Sequence, residues 1–388
     1  MDFHFTPEQE AFRREIRKFL DQHVTPEIHA EYDDNHTPGP LSKALLRQIA
    51  AQGWLGVGWP KEYGGQGRSM IEQLAFYEEL DREHVYYGDL TITSLAMALI
   101  RIGSEAQKKE YLPRILRGEL SICLGYTEPG AGSDLASLKT RAVRDGDVYV
   151  VNGQKVYTTG AHYSSHIWLL ARTDPQATKH KGVSLFLFPL DTPGITVRPL
   201  YTMEGIRTNE VFFEDVRVPA ACMVGKENTG FYGAAVALDY ERVFMGRPHG
   251  ARRALDQLIG FCKTFVVDGQ PLFEQPIVQD RLVRFHIDVE RLRLLNFRVA
   301  WMIEKGLVPT AEASAQKVLA SELTQRITDE ALQLMGPYGQ LRRESPHAPA
   351  HGALQQAWLL SIMQRFGGGT NEIQRDIIAQ RGLGLPRR

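Results

Sequence analysis

The stretch from residue 123 to 219 constrains the fold most. It breaks into short runs rich in β-branched and aromatic residues: HIWLLART (166–173), GVSLFLFPL (182–190), GITVRPLYT (194–202) and NEVFFEDVRVP (209–219). Turn chemistry separates them, as at Asp191, Thr192, Pro193 and Gly194. Ahead of them DVYVVNGQKVYTT alternates and carries Asn152 and Gly153 between two β-rich halves, a pattern that predicts a hairpin turn at that pair. The number and close spacing of these runs predict a small, mostly antiparallel sheet domain.

Both flanks carry the helical period instead. Thr6, Pro7 and Gln9 form a start signal, with Thr6 as N-cap and Gln9 closing a capping box, and Phe12, Ile16 and Phe19 follow at helical spacing. HTPGP (36–40) and PKEYGGQGR (60–68) break the pattern, and SLAMALIRIGS and EAQKKEYLPRIL extend it to about residue 117. After residue 230, Leu282, Phe285, Val289, Leu292, Leu295, Val299 and Met302 trace one helix face that Gly306 ends. Pro309 and Thr310 open another helix, which stops at Gly336. The order helical, sheet, helical predicts an α+β multidomain chain.

Composition excludes several classes. With 45 basic and 46 acidic residues and no charge block, nothing argues for nucleic acid. No stretch reaches the roughly 18 apolar residues of a membrane span, and MDFHFTPEQEAF has no signal-peptide core. The expectation is a soluble, cytoplasmic protein. Cys123, Cys222 and Cys262 are far apart, with no disulfide or zinc spacing. The histidines likewise lack metal-ligand spacing. His162, Ser164, Ser165 and His166 cluster without a nucleophile elbow, so they read as surface or loop residues.

YTEPGAGSD (126–134) lies where helices give way to strands. Gly130, Ala131 and Gly132 let a ligand approach the backbone closely, and Thr127 and Ser133 add hydroxyls. The same residues also suit a purely structural turn. The spacing is not that of a dinucleotide-binding GxGxxG, and the chain contains no Walker A sequence.

YTEPGAGSDLASLKTRAVRDGDVYVVNGQKVYTTGAH, LLARTDP, DTPGITV, VFFEDVRVP and GGGTNEIQR, in that order over essentially the whole chain, closely resemble the acyl-CoA dehydrogenase family. The resemblance implies an N-terminal helical domain (1–122), a middle β-sheet, barrel-like domain (123–231) and a C-terminal four-helix bundle (232–388). It implies FAD as cofactor, between the β-domain and the C-terminal helices. It also implies self-association as a dimer or tetramer, and an electron-transfer flavoprotein or similar carrier as acceptor. By motif, Tyr126, Thr127, Gly132, Ser133, Tyr157, Thr159, Gln333, Thr370 and Glu372 would border the cofactor. Ser133 would also meet the CoA portion of an acyl-CoA substrate. Many relatives have Trp where this chain has Tyr157, which can still stack.

The family's reaction needs a carboxylate for the α-proton and a flavin for the β-hydride. Many members carry that carboxylate just before the Gly-Thr of the C-terminal motif, where this chain has Gly368. In a branch that includes isovaleryl- and long-chain-type enzymes, the base stands instead on the first helix of the C-terminal domain. ALDYERVFMG (237–246) puts Glu241 there. The resemblance therefore implies Glu241 as base, with Tyr240, Arg242 and the Gly368 backbone beside the substrate. Cys262 replaces the arginine that many relatives extend to a neighbour's FAD, and QLMGPYG departs from the usual glycine pattern after Gln333. A paralogous partner subunit would complete such a site. The rivals are a flavin oxidase or monooxygenase, a dehydrogenase of carrier-protein-tethered acyl groups, and a non-catalytic subunit of a heteromer.

Overall fold

The computed structural model describes residues 4–33, 37–88 and 90–386. The N-terminal part is helical: α1 (Pro7–His23), α2 (Pro26–Asp33), α3 (Pro40–Ala51), α4 (Met70–Glu83), α5 (Ala96–Ile102) and α6 (Glu105–Leu116). The cap at Thr6 forms as the spacing predicts. The Thr6 N–H donates to Gln9 Oε1 (2.9 Å) and the Gln9 N–H to Thr6 Oγ1 (3.3 Å), so two otherwise orphaned donors are satisfied. Ser104 and Gln107 build the same box at the start of α6.

The middle part is a curled sheet. Its strands are β1 (Ile122–Gly125), β2 (Arg141–Asp145), β3 (Val148–Lys155), β4 (His166–Arg172), β5 (Val183–Pro189), β6 (Ile195–Tyr201) and β7 (Arg207–Pro219). They form one seven-stranded sheet in the order β1-β4-β2-β3-β7-β6, with β5 also on β4. The pairs β2–β3, β3–β7, β6–β7 and β4–β5 are antiparallel, whereas β1 and β2 meet β4 in parallel.

The hairpin expected at Asn152 and Gly153 is corrected by this register. Asp145 and Val148 are cross-strand partners, so the chain reverses through Gly146 and Asp147. Asn152 and Gly153 lie inside β3, opposite a bulge in β7: Val151 faces Val216 but Gly153 faces Phe213. The extra β7 residue flips the buried phase from Val211 and Phe213 to Val216 and Val218. The Asn152 side chain fills the gap, donating to Asp215 Oδ1 and accepting from the Asp215 N–H, both at 3.0 Å. Gly153 is required because a Cβ there would sit 2.7 Å from Thr140 Cα.

The C-terminal part is again helical: α7 (Gly230–Met245), α8 (His249–Thr264), a short hairpin of β8 (Val266–Val267) and β9 (Gln270–Pro271), α9 (Pro276–Glu304), α10 (Thr310–Met335), α11 (Ala353–Gln364) and α12 (Asn371–Ile377). Gly306 and Gly336 follow the helix ends as expected.

By internal contacts the chain divides into two compact units. One comprises Arg14–Ser69 and Glu83–Glu241. Its sheet core joins Tyr149, Val151, Ile167, Leu169, Phe186, Phe188, Val211 and Phe213, each at most 2% exposed. The other comprises Met1–Arg13, Met70–Arg82 and Arg242–Arg388. There Leu255 and Leu258 of α8, Leu282, Val289 and Leu292 of α9 and Leu323, Ile327 and Ala331 of α10 make the core. Each large apolar side chain buried in this way contributes about 1.5–3 kcal/mol. Along α9 the buried face departs from the expected stripe. Asn296 and Ala300 are buried while Leu295 and Met302 are only partly so, because a straight helix drifts from a seven-residue repeat. Among the described residues no helix is long and apolar enough to cross a membrane.

Candidate functional site

The segment 126–134 leaves β1 and reverses at once. The Glu128 N–H donates to the Ala131 carbonyl (3.0 Å) and the Ala131 N–H to the Glu128 carbonyl (3.1 Å), so Pro129 and Gly130 form a tight corner. A Cβ at Gly130 or Gly132 would meet nothing within 4 Å. Together with the exposed Ser133 and Asp134, this leaves the backbone open to a ligand.

What holds this corner was not legible beforehand. Lys155 of β3 is fully buried, and its Nζ donates to Glu128 Oε1 (2.8 Å) and to the Tyr126 carbonyl (3.1 Å). Glu128 also accepts from the backbone N–H groups of Lys139 (2.6 Å) and Thr140 (2.9 Å). Burial pushes the Lys155 ammonium down to about 8 against the pull of Glu128. Burial also opposes the Glu128 charge, but Lys155 and the converging donors hold that carboxyl below its usual value.

Segment 155–159 lies beside this corner, tied to it by the Val156 N–H donating to the Thr127 carbonyl (2.9 Å). This bond sets the segments carrying Tyr126 and Thr127 and carrying Tyr157 and Thr159 side by side. Tyr126 is 8% exposed, and its hydroxyl accepts from Trp168 Nε1 (3.0 Å). Tyr157 is 62% exposed and holds φ +56°, a left-handed conformation that costs a non-glycine residue about 1–2 kcal/mol. Neighbouring bonds enforce it: the Thr158 N–H donates to the Asn209 carbonyl and Asn209 Nδ2 donates to the Thr158 carbonyl, both at 3.0 Å. The Thr159 and Thr208 hydroxyls lie 3.2 Å apart.

Of the two histidines nearby, which the sequence reads as surface or loop residues, His162 lies in a loop but is half-buried, and His166 is buried in β4. His162 sits between Thr37 Oγ1 and Asn209 Nδ2, each 3.1 Å away, and burial pushes its pKa down to about 4. His166 is 5% exposed, lies 3.0 Å from Ser165 Oγ and is edge-on to Tyr111; burial, with Arg114, brings it to about 4. Both are neutral packing residues. Cys262 lies on the buried face of α8, and burial raises its thiol to about 11.

The glycine run follows α11. Gly368 holds φ +65° and Gly369 φ +98°, backbone shapes that favour glycine. Thr370 then caps α12, its Oγ1 accepting from the Ile373 N–H (3.2 Å). Glu372 is exposed in the first turn, held acidic by its own backbone N–H and the Thr370 hydroxyl. Beneath the loop lies another buried lysine that the sequence reading passed over. Lys317 of α10, 2% exposed, donates to the carbonyls of Arg365 (3.1 Å) and Gly369 (2.9 Å) and to Asn371 Oδ1 (2.8 Å). Gln333 is exposed on α10, bonded to Asp329 (2.8 Å). Glu241 lies on α7, whose helical run continues to Met245. The side chains of Tyr240, Glu241 and Arg242 lie outside the described residues.

Family models agree with this architecture segment by segment. Residues 6–119 match the acyl-CoA dehydrogenase N-terminal domain, 123–216 its middle domain and 228–383 its C-terminal domain. The chain is similar to the acyl-CoA dehydrogenase FadE26 of Mycobacterium tuberculosis, 39% identical over 397 residues, 100% of this chain and 99% of that one. Among solved structures it is similar to the ChsE4–ChsE5 complex of Mycobacterium tuberculosis, at 40% identity, TM-score 0.91 and full coverage of both chains. It is also similar to the Tcur3481–Tcur3483 steroid ACAD, at 36% identity, TM-score 0.92 and full coverage of both chains.

Proposed function

The chain belongs to the acyl-CoA dehydrogenase family, and we propose that it converts an acyl-CoA thioester to its trans-2-enoyl-CoA with Glu241 as the base. Members of this family are flavoproteins. The residues at the expected site suit a flat, polar aromatic cofactor: open backbone at Gly130 and Gly132, the exposed ring of Tyr157 and the paired hydroxyls of Thr159 and Thr208. FAD, when bound, supplies the acceptor for the substrate's β-hydride. Tyr126, Thr127, Gly132, Ser133, Tyr157 and Thr159 would hold it, with Gln333, Thr370 and Glu372 as further contacts.

The base is the crux, and the observation that carries the reading is the backbone of Gly368. Its positive φ, in a loop pinned from below, is one that glycine adopts without strain, and glycine offers no side chain to take a proton. The α-proton must then pass to another carboxylate, and α7 carries Glu241. Glu241 takes that proton as the α,β double bond forms. The Gly368 N–H donates to the thioester carbonyl as negative charge builds there, and Tyr240 and Arg242 flank the acyl group.

The buried Cys262 favours a second element of the reading. A thiol enclosed in the α8 core cannot replace an arginine directed at a neighbour's cofactor. One similar structure is a complex of two differently named chains, and another is called a steroid enzyme. We therefore read the working enzyme as a cytoplasmic assembly with a paralogous subunit, acting on a bulky acyl-CoA and passing electrons to an electron-transfer flavoprotein or similar carrier.

The test is the absorbance spectrum of the purified chain, alone and co-expressed with candidate paralogues, before and after anaerobic addition of straight, branched and steroid-bearing acyl-CoAs. A yellow protein bleached by one thioester is expected. A flavin-bearing protein that no thioester bleaches would contradict the reading. Fast reoxidation of the bleached, product-bound form by O₂ would make it an oxidase instead.

A further inference from the structure

The loop 365–370 carries three consecutive glycines, Gly367, Gly368 and Gly369. Such a run has the most backbone freedom to lose and no side chains to pack, so by itself it would not hold one shape. The structure fastens it from α10. The Lys317 ammonium has three N–H donors, and three acceptors converge on it: the Arg365 carbonyl before the glycines, the Gly369 carbonyl at their end, and Asn371 Oδ1 just beyond. Asn371 is fully buried and closes the ring. Its N–H donates to the Arg365 carbonyl (2.8 Å), and its Nδ2 donates to Ser321 Oγ (3.0 Å) and to Glu322 Oε1 (3.2 Å). Gln374 Nε2 donates to the Gly368 carbonyl (3.3 Å). Outside this ring Glu322 pairs with Arg365 and Arg375.

Sinking a lysine where burial pushes its pKa down to about 8 costs free energy, and a neutral side chain of similar length would fill the space without that cost. Two of the three donors reach carbonyls on either side of Gly368, at Arg365 and Gly369, and the third reaches Asn371, so the run is held from both sides as orienting a backbone N–H requires. We propose that Lys317 is a positioning residue for the reaction, aligning the Gly368 backbone through the ring it forms with Arg365, Gly369 and Asn371. This inference rests on the role given to Gly368 above. It adds that the donor's aim is set from α10, more than fifty residues away in sequence.

The test compares wild type with Lys317→Met in the flavin-loaded enzyme. Amide hydrogen exchange in residues 367–371 should speed up at least tenfold in the variant, while exchange around Leu255 and Leu258 of α8 stays as in wild type. With the acyl-CoA that bleaches wild type best, kcat should fall about tenfold or more and KM should change less than threefold, since a misaimed donor weakens the transition state more than the ground state. Unchanged kcat, a rise in KM alone, or faster exchange spread evenly over the chain would each overturn the proposal. If Lys317→Met does not fold, Asn371→Ala, which removes one acceptor from the ring, is held to the same outcomes. A wild type that no acyl-CoA bleaches would instead defeat the functional reading, so the two failures are told apart by the control.

Discussion

Lys155 and Glu128 form an ion pair at 2.8 Å with side-chain exposures of 0% and 7%, and it joins the two segments on which the flavin assignment depends. A pair this deep gains little net stability by forming, but removing one partner strands the other charge. Lys155→Met should therefore destabilise the protein by about 3–5 kcal/mol, read from denaturant midpoints. Lys155→Met combined with Glu128→Leu should recover much of that loss, yet still lower flavin content, because the 126–134 corner loses its clamp. A single variant as stable as wild type would show that the pair is not what holds the corner.

Tyr157 opposes stability and function at one residue. Its left-handed backbone is strained, and its ring stands exposed. Tyr157→Gly should raise the stability of the flavin-free chain by about 1 kcal/mol. It should also weaken FAD binding several-fold, by about the worth of one aromatic contact. Fluorescence titration of the stripped protein with FAD checks the second effect and urea unfolding the first. Tighter FAD binding in the variant would remove Tyr157 from the cofactor site.

His166 makes stability depend on pH. Its folded pKa, about 4, lies below the ordinary 6.5 because burial disfavours the imidazolium. Between those values the unfolded chain binds a proton that the folded chain refuses, so stability falls as pH drops from 6.5 toward 4. The contribution at full extent is on the order of 3 kcal/mol. Urea midpoints at pH 7 and pH 5 should differ by less in His166→Gln than in wild type. An equal pH dependence in both would assign the acid loss to other groups.

Much of the architecture is legible in the residues because it is written in local signals. The cap at Thr6, the breaks near Pro40 and Gly336, and the β-rich runs from residue 166 onward all depend on near neighbours, and all appear where the spacing puts them. The misreadings have a common physical origin. Asn152 and Gly153 have turn chemistry, but tertiary pairing with β7 uses them opposite a bulge. His166 reads as a surface or loop residue, and nothing in the sequence singles out Lys155 or Lys317, since residues of these kinds are usually solvated. Their partners lie far off in sequence, as Lys317 with Asn371 does, so nothing local announces the burial. Asn296 is buried because the α9 face rotates away from the heptad that the apolar residues suggest.

Glu241 is the central assignment, and its most direct measurement is flavin reduction in single turnover. Wild type and Glu241→Gln would be mixed anaerobically with the acyl-CoA that bleaches wild type, and loss of flavin absorbance followed in time. The glutamine variant should keep its FAD and its fold but reduce it at least ~10³-fold more slowly, the scale of losing an essential base. Reduction at near wild-type rate in Glu241→Gln would contradict the assignment and return the search for the base to the rest of the chain or to a partner subunit.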